Sequence, residues 1–528
     1  MSGSGREREQ PAWLRPLQDA LVEALPRLYG LAPDSALREH TASLLAALER
    51  GELSQVLSPA EAASLAASPY SHAPDGPLVV ESTSVSWRRW HSLRQDVIAA
   101  LIERAGPPES AAALPPPPSA IAPRLDTNQR QAVQAVLEHR LVLLQGGPGT
   151  GKTSTVGAMI AAVLEREPAC RVHLAAPTGK AAARLRAATA GHYPCSTLHR
   201  LLESRGERFG RNRRHPLALD LLVLDEVSMV NQELMAALLE ALPAEARLVL
   251  VGDPAQLPPI EPGAVLLDLQ QPNLRQSLGT AAVNLTTSYR NAGAIAQVAG
   301  ELRNDIVMAG STDARALLLP LLRGLPPNAN LASLEAPAER PPRWVLHRLR
   351  ERLTVLGAAA AACRPGRPEG SEELLDLREQ LLVLAPLRGG PWGVDTLHRA
   401  LLTDTFAQPA AWPEGLPVLC TRNLPEFGLA NGDVGVMVGT PGTADRQLLF
   451  GHGETLWIDP APLRAALEPG LALTVHKAQG SEAAEVIVLL PEAAADPRLL
   501  YTALTRARER ATLLLPAASG EPCSPQST

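Results

Sequence analysis

Residues 146–153 read Gly-Gly-Pro-Gly-Thr-Gly-Lys-Thr, followed by Ser154 and preceded by the apolar run Leu141-Val142-Leu143-Leu144. The pattern G-x-x-x-x-G-K-T makes a cradle for a nucleoside triphosphate. Gly146, Gly147, Gly149 and Gly151, with Pro148 and Thr150 between them, let backbone N–H groups turn toward phosphate oxygens. Lys152 reaches the β- and γ-phosphates, and the Thr153 hydroxyl is a Mg2+ ligand. A helix opening near Lys152 adds its N-terminal dipole. The bland alternative is a chance glycine-rich turn. The strand before the loop and the helix after it argue against that, so ATP and Mg2+ are the expected ligands.

Seventy-odd residues on, Leu221-Leu222-Val223-Leu224 ends in Asp225-Glu226. A carboxylate at the carboxyl end of a strand sits beside the metal of such a cradle. Asp225 is expected to hold Mg2+ through its water shell, and Glu226 to polarise the attacking water as general base. Adjacent acids in a loop are usually only solvated, but the apolar strand before these argues otherwise. The next strand-like run, Val249–Asp253, leads to Gln256, whose neutral amide can sense a γ-phosphate without adding charge. Phosphoryl transfer also needs cations as charge shifts. Arg290, in NLTTSYR, and Arg506, in YTALTRARER, are the candidates, one near each end of the downstream region. Lys152, Asp225, Glu226, Gln256, Arg290 and Arg506 form the expected catalytic set. Arginines from separate domains closing on one ATP make a mechanical device.

A second kind of chemistry is phosphate-backbone contact. Pro177-Thr178-Gly179-Lys180 follows a strand and opens a helix, presenting N–H groups, a hydroxyl and an ammonium. Thr474, His476 and Lys477 follow a strand in the same way. If both grip one polynucleotide, ATP-driven closure moves one grip toward the other. The stretch SRGERFGRNRRHP, 204–216, adds a basic loop, read either as a solvated turn or as a strand or partner contact. Aromatic stacking platforms are not obvious; His199, Tyr289 and Trp392 are the candidates.

The elements that position these groups alternate strand and helix. LVLLQ (141–145), RVHLAAP (171–177), LDLLVLD (219–225) and RLVLVGD (247–253) each end at a turn, the mark of a parallel sheet covered by helices. A second α/β region starts near 291 and is broken at 395–470 by short strand runs: VLCTRN, GDVGVMVG, RQLLF and ETLWI. Upstream, residues 12–75 read as short amphipathic helices. In 78–106, Trp87, Trp90, Leu93 and Val97 fall at helical spacing, a packing face with Arg88 and Arg89 turned outward. Pro115–Pro118 mark a stiff linker. The expected division is a helical region at 1–115, a first α/β domain at 121–295, a second at 296–394 and 471–516, a small β-barrel or sheet inserted at 395–470, and a disordered tail at 517–528.

A net charge of -6 gives no bulk support for nucleic-acid binding, although a motor can confine positive charge to one channel. Five cysteines lie far apart with no C-x-x-C, so neither zinc nor a disulfide framework is indicated. With no apolar signal core and no run of 18 apolar residues, the expectation is a cytoplasmic protein with no membrane partner.

Taken in order, these motifs resemble the superfamily 1 helicases of the 5′-to-3′ class, and most closely the RecD family, the alpha subunits of exodeoxyribonuclease V. The resemblance covers roughly 121–516. LDTNQRQAV (125–133) is similar to the Q motif, which implies that Gln129 reads adenine. GGPGTGKT is similar to motif I, APTGKAAARL to motif Ia, LVLDEVSM to motif II, VGDPAQLPPIEPG to motif III and LTTSYR to motif IV. LTVHKAQGSE is similar to motif V, which implies Glu482 at the nucleotide, and YTALTRAR to motif VI. STLHRLL implies DNA contacts from Thr197 and His199. RGGPWGVDTLHR and LANGDVGVM resemble further elements of the subfamily.

The resemblance implies an α/β P-loop fold with two RecA-like domains, a small β-rich insertion in the second, and an α-helical N-terminal domain. It implies an ATP-dependent 5′-to-3′ single-stranded DNA translocase or helicase that works at DNA ends in double-strand-break repair and recombination. Its partners would be RecB-like and RecC-like subunits in a heterotrimer, with the first 115 residues docking on the gamma subunit and the nuclease on the beta subunit. No Asp…Glu-x-Lys nuclease cluster stands apart from the ATPase motifs here. The rival readings are a stand-alone repair helicase, an RNA helicase and a scaffold with a degenerate ATPase fold.

Overall fold

The computed structural model describes residues 14–30, 35–72, 75–106, 125–206, 208–287, 293–308, 314–326, 328–363, 370–443, 445–451, 455–491 and 496–517. Arg290, Tyr289, the proline linker and the expected tail beyond 517 lie outside them.

The first lobe is built on a six-stranded sheet in the order Ala282–Leu285, Leu141–Gly146, Arg247–Gly252, Leu221–Leu224, Val172–Ala176, Cys195–Thr197. Every pairing is parallel. The four apolar runs read from the sequence are its central strands. Successive side chains point to opposite faces, and both faces are covered. Leu141 and Leu143 pack into one core with Leu222, Leu224, Leu248 and Leu250. Val142 and Leu144 enter another with Val156, Ile160, Val223 and Val251. Helix Lys152–Arg166 leaves the strand Leu141–Gly146 through the glycine loop.

The second lobe repeats the plan. A five-stranded parallel sheet runs Leu331–Ala336, Ala507–Pro516, Ala483–Leu489, Leu381–Ala385, Ala472–Thr474. Between Leu381–Ala385 and Ala472–Thr474 the chain makes a five-stranded antiparallel sheet. Its strands are Pro417–Cys420, Val434–Val438, Gln447–Gly451, Thr455–Ile458 and Leu467–Pro469. Helix Val394–Leu402 comes before those strands, and its buried His398 Nε2 accepts the Ala472 N–H at 3.1 Å. Two parallel α/β lobes, a β-rich insertion in the second and a helical amino-terminal region are the fold class expected from the sequence.

The amino-terminal region is not purely helical. Beside its helices lies a three-stranded antiparallel sheet of Ser54–Val56, Ser84–Trp87 and Leu78–Glu81. The helical spacing of Trp87 with Trp90 therefore misleads. Trp87 ends a hairpin strand, and the helix begins at Arg88. Val79, Val80, Thr83 and Val85 favour the extended chain, and Ser82 turns it at φ 52°. Arg88 does not face outward: it donates to the carbonyls of Gly76 and Leu78. Arg89 does, pairing with Glu233 at 2.8 Å.

Beside the Arg89–Glu233 pair, an apolar contact and a backbone contact fix this region to the first lobe. Val97 and Leu101 of helix Arg88–Ala105 join the core beneath Leu141. Gly51, at φ +79°, accepts the Gly263 N–H at 2.9 Å, and a Cβ there would lie 3.2 Å from the Pro259 carbonyl oxygen.

Candidate functional site

The glycine loop needs its glycines at two positions in particular. Gly149 and Gly151 have φ of 73° and 79°, a region where side chains are strained. The Lys152 ammonium donates to the carbonyls of its own loop, Gly146 at 2.7 Å and Gly147 at 3.0 Å. Thr150 Oγ1 donates to the Gly147 carbonyl at 2.8 Å, and Ser154 Oγ to that of Gly151 at 2.8 Å.

Facing this loop from the strand Leu221–Leu224 are Asp225 and Glu226. Glu226 sits at φ 53°, ψ 43°, a left-handed conformation costly for a residue with a side chain, and its N–H donates to Asp225 Oδ1 at 2.9 Å. Burial pushes the Asp225 carboxyl up to about 6, and the charge of Glu226 adds to it, while Lys152 and Arg184 pull the other way. Two crowded acids opposite a phosphate loop are a donor set that suits a hard cation. Among the described residues no group of three or more His, Cys, Asp or Glu side chains could hold a metal by itself. The set fits Mg2+ held partly by phosphate oxygens, with Thr153 and Asp225 supplying the protein side.

The second lobe closes over the loop. Arg506 is buried, its guanidinium donating to the carbonyl of Thr502 at 3.0 Å and to Thr505 Oγ1 at 3.2 Å. Burial lowers its pKa, and the acidic groups acting on it are Glu226 of the first lobe and Glu482 of its own. Gln256 is buried with Oε1 lacking a hydrogen-bond partner. Its loop is stitched to the other lobe: the Leu257 N–H donates to Thr502 Oγ1 at 2.9 Å, Gln479 Nε2 to the Leu257 carbonyl at 3.0 Å, and Tyr501 Oη to Asp253 Oδ2 at 2.5 Å. Arg303 comes from helix Ala294–Met308 and lies 3.6 Å from Asp253; its Cδ would be 3.7 Å from a Cβ on Gly147. Glu482 is held by Arg184 at 2.9 Å.

Gln129 has a local structural task as well. Its N–H donates to Asp126 Oδ1 at 2.8 Å, and its Oε1 accepts the Asp126 N–H at 3.1 Å, a capping box at the start of helix Thr127–Glu138.

A cleft of about 1090 Å³ runs between the lobes, the insertion and helix Arg88–Ala105. It gathers Pro177, Thr178, Lys180, His199, His476 and Lys477 from distant parts of the chain, with Asn423 and Asn431 of the insertion. Thr197 and His199 line an adjoining hollow. Thr178, Thr197 and Thr474 turn their hydroxyls to backbone N–H groups, of Ala181, Arg200 and Lys477 respectively. Lys180 Nζ donates to Ser481 Oγ at 2.8 Å, and burial, with Arg378 adding, lowers its pKa to about 7. Lys477 Nζ is paired with Glu468 at 2.9 Å, a carboxylate shared with Arg388 at 3.0 Å.

Trp392 is no stacking platform. It is buried, with its indole N–H on the carbonyls of Pro337 and Arg340. Of the basic stretch 204–216, Ser204–Arg205 and Arg208–Phe209 pair as a short hairpin, and Arg211 is tied to Glu203 at 2.7 Å. Arg184, Arg303, Tyr501 and Asp253 were not singled out from the sequence. Arg184 and Tyr501 meet partners hundreds of residues away and Arg303 meets Asp253 from the other lobe, and only the APTGKAAARL, YTALTRAR and VGDPAQ segments themselves hint at three of the four.

Among described residues no helix is long and apolar enough to cross a membrane. The family described as AAA domain matches residues 129–262, and that described as UvrD-like helicase C-terminal domain matches residues 469–514. The chain is 37% identical over 462 residues to the RecBCD enzyme subunit RecD of Mycobacterium tuberculosis, covering 80% of this chain and 74% of that one. It is 36% identical over 404 residues to the ATP-dependent RecD2 DNA helicase of Deinococcus radiodurans, covering 73% of this chain and 48% of that one. A solved structure of Bacteroides Pif1 bound to single-stranded DNA aligns with a TM-score of 0.42 at 16% identity, covering 74% of this chain and 92% of that chain.

Proposed function

Because the chain belongs to the RecD-like family of superfamily 1 helicases, we propose that it is the ATP-dependent motor of an exodeoxyribonuclease V-type complex, moving 5′-to-3′ on single-stranded DNA. The chain is an ATP-dependent DNA helicase or translocase on a RecA-like scaffold. The observation carrying the proposal is the convergence of two sites on one lobe boundary. Lys152, Asp225 and Glu226 gather in the first lobe, the charge of Glu226 acts on Arg506 of the second, and both lobes line the cleft holding Lys180 and Lys477.

In this reading the P-loop amides and Lys152 bind the triphosphate, and Thr153 and Asp225 hold Mg2+. When bound, that ion draws negative charge from the β- and γ-phosphates. Glu226 takes the proton of the attacking water, Gln256 orients that water, and Arg506 with Arg290 stabilises the transferring phosphoryl group. The unpartnered Gln256 Oε1 supports its role. Pro177, Thr178, Lys180, Thr197 and His199 grip the strand from the first lobe, and Thr474, His476 and Lys477 from the second. The partners are RecB-like and RecC-like subunits, one of which carries the nuclease, and the amino-terminal region docks on them.

Two measurements test this. Duplexes tailed on one strand should be unwound from a 5′ tail only; unwinding from a 3′ tail would overturn the polarity. Affinity capture of the chain from its own cells should bring two much larger chains in fixed stoichiometry. Recovery of an active helicase alone would favour the stand-alone reading, which the likeness to the Deinococcus RecD2 helicase keeps in view.

A further inference from the structure

Helix Gly179–Ala188 carries Lys180 and Arg184 on one face, four residues apart. Both reach over the lobe boundary to consecutive residues of the second lobe. Lys180 Nζ meets Ser481 Oγ at 2.8 Å, and Arg184 Nη2 meets Glu482 Oε1 at 2.9 Å, with Nη1 on the Gly480 carbonyl at 3.4 Å. Gly480 permits the close approach: its φ is +75°, and a Cβ there would stand 3.2 Å from Thr178 Oγ1.

The two ends of this contact belong to different sites. Thr178 and Lys180 line the interlobe cleft. Arg184 lies in the field of Glu482, Glu226 and Asp225, whose carboxylates outweigh its burial and raise its pKa. Its charge also acts on Asp225 and on Arg506. Glu482 is mostly shielded, with 15% of its side chain exposed, while the Arg184 side chain is 46% exposed, so solvent screens the pair from the arginine side.

We propose that Arg184 is a latch between the two sites: it holds Glu482 back from the nucleotide until a strand in the cleft draws Lys180 off Ser481. Lys180 and Arg184 ride on one helix, so moving the first from residue 481 moves the second from residue 482. Glu482 then loses its pair with Arg184 and can turn toward the nucleotide. The proposal rests on the reading that the cleft takes single-stranded DNA and that Glu482 faces ATP. Arg184 is a positioning residue, acting through Glu482. The coupling is reciprocal: DNA must tighten nucleotide by the factor by which nucleotide tightens DNA.

The test uses the full chain, a fluorescent non-hydrolysable ATP analogue and an oligo(dT) strand. The Kd of each is measured with and without the other. Wild-type protein is expected to show two equal factors of about fivefold or more. In R184Q the analogue should bind without DNA nearly as tightly as it does to wild type with DNA, and both factors should fall toward one. S481A, which frees Lys180 from the other side, should show the same change and covers the case that R184Q does not fold. Undiminished factors in the folded variants would overturn the latch, and so would weaker analogue binding by R184Q without DNA. Wild-type protein indifferent to oligo(dT) would overturn the parent reading and the latch with it.

Discussion

Tyr501 donates its phenolic hydrogen to Asp253 across the lobe boundary, with 2.5 Å between the oxygens. Asp253 is fully buried and belongs to the loop that carries Gln256, and Tyr501 belongs to the helix that leads to Arg506. Burial and the adjacent carboxylate push the Tyr501 pKa well above its ordinary value, so the proton stays on the phenol. The bond therefore fastens the sensing loop to the arginine helix.

Replacing Tyr501 with Phe removes that donor and leaves a buried carboxylate with fewer partners, a loss of about 1–3 kcal/mol. The Leu257 amide, bonded to Thr502 beside it, should exchange its hydrogen roughly tenfold faster or more in Y501F. The strand Leu141–Gly146 should keep its protection. Equal protection of Leu257 in both proteins would show that the bond does not hold the lobes together.

Asp225 should trade stability for chemistry. Its folded pKa of about 6 lies above the ordinary 3.8, so the folded chain binds this proton more tightly than the unfolded one. Stability from this group is then greatest at low pH and is lost as pH rises from about 4 through 6, by on the order of 3 kcal/mol. D225N should unfold at a higher denaturant concentration than wild type near pH 8 and at a similar one near pH 4, while losing ATP turnover. A D225N less stable than wild type near pH 8 would refute the account.

Lys180 should make strand binding depend on pH. Burial, followed by the charge of Arg378, lowers its pKa to about 7, so above neutrality the ammonium is mostly neutral in the free protein. Binding a phosphate backbone restores the proton. The Kd for oligo(dT) should rise between about pH 7 and 9, by up to about tenfold per pH unit. K180R, which does not titrate there, should flatten the curve. The same slope in K180R would remove Lys180 as its source.

Glu468 should act as a brake on the grip. It neutralises both Lys477 and Arg388 in the described structure. E468Q should therefore bind oligo(dT) more tightly at low salt, and the slope of log affinity against log salt should steepen by roughly one. Unchanged affinity and slope would mean that Lys477 does not meet the strand.

The chemistry of this chain was written locally, and its mechanics were not. The P-loop, the acids at 225–226 and the strands of the first sheet each occupy one short window, where composition and period are enough. The insertion also showed four of its strands, and only Leu467–Pro469 was missed. The Trp87–Trp90 pair misled because a hairpin ends between them, and periodicity cannot see a turn that falls inside its window. Arg184, Arg303 and Tyr501 could not be found this way. Each gains meaning from a residue on the other lobe, as Tyr501 does from Asp253, 248 positions earlier. Gln129 shows the converse, since its capping box with Asp126 was visible as a local pattern and was read only for its ligand.

The seam at Gly51 has a wider consequence. The Gly263 amide bonded to it closes the same loop that begins at Asp253 and carries Gln256. Helix Ser35–Glu49 ends two residues before Gly51. A load on those first helices would thus be felt, across one amide bond and one close backbone approach, by the loop that carries Gln256.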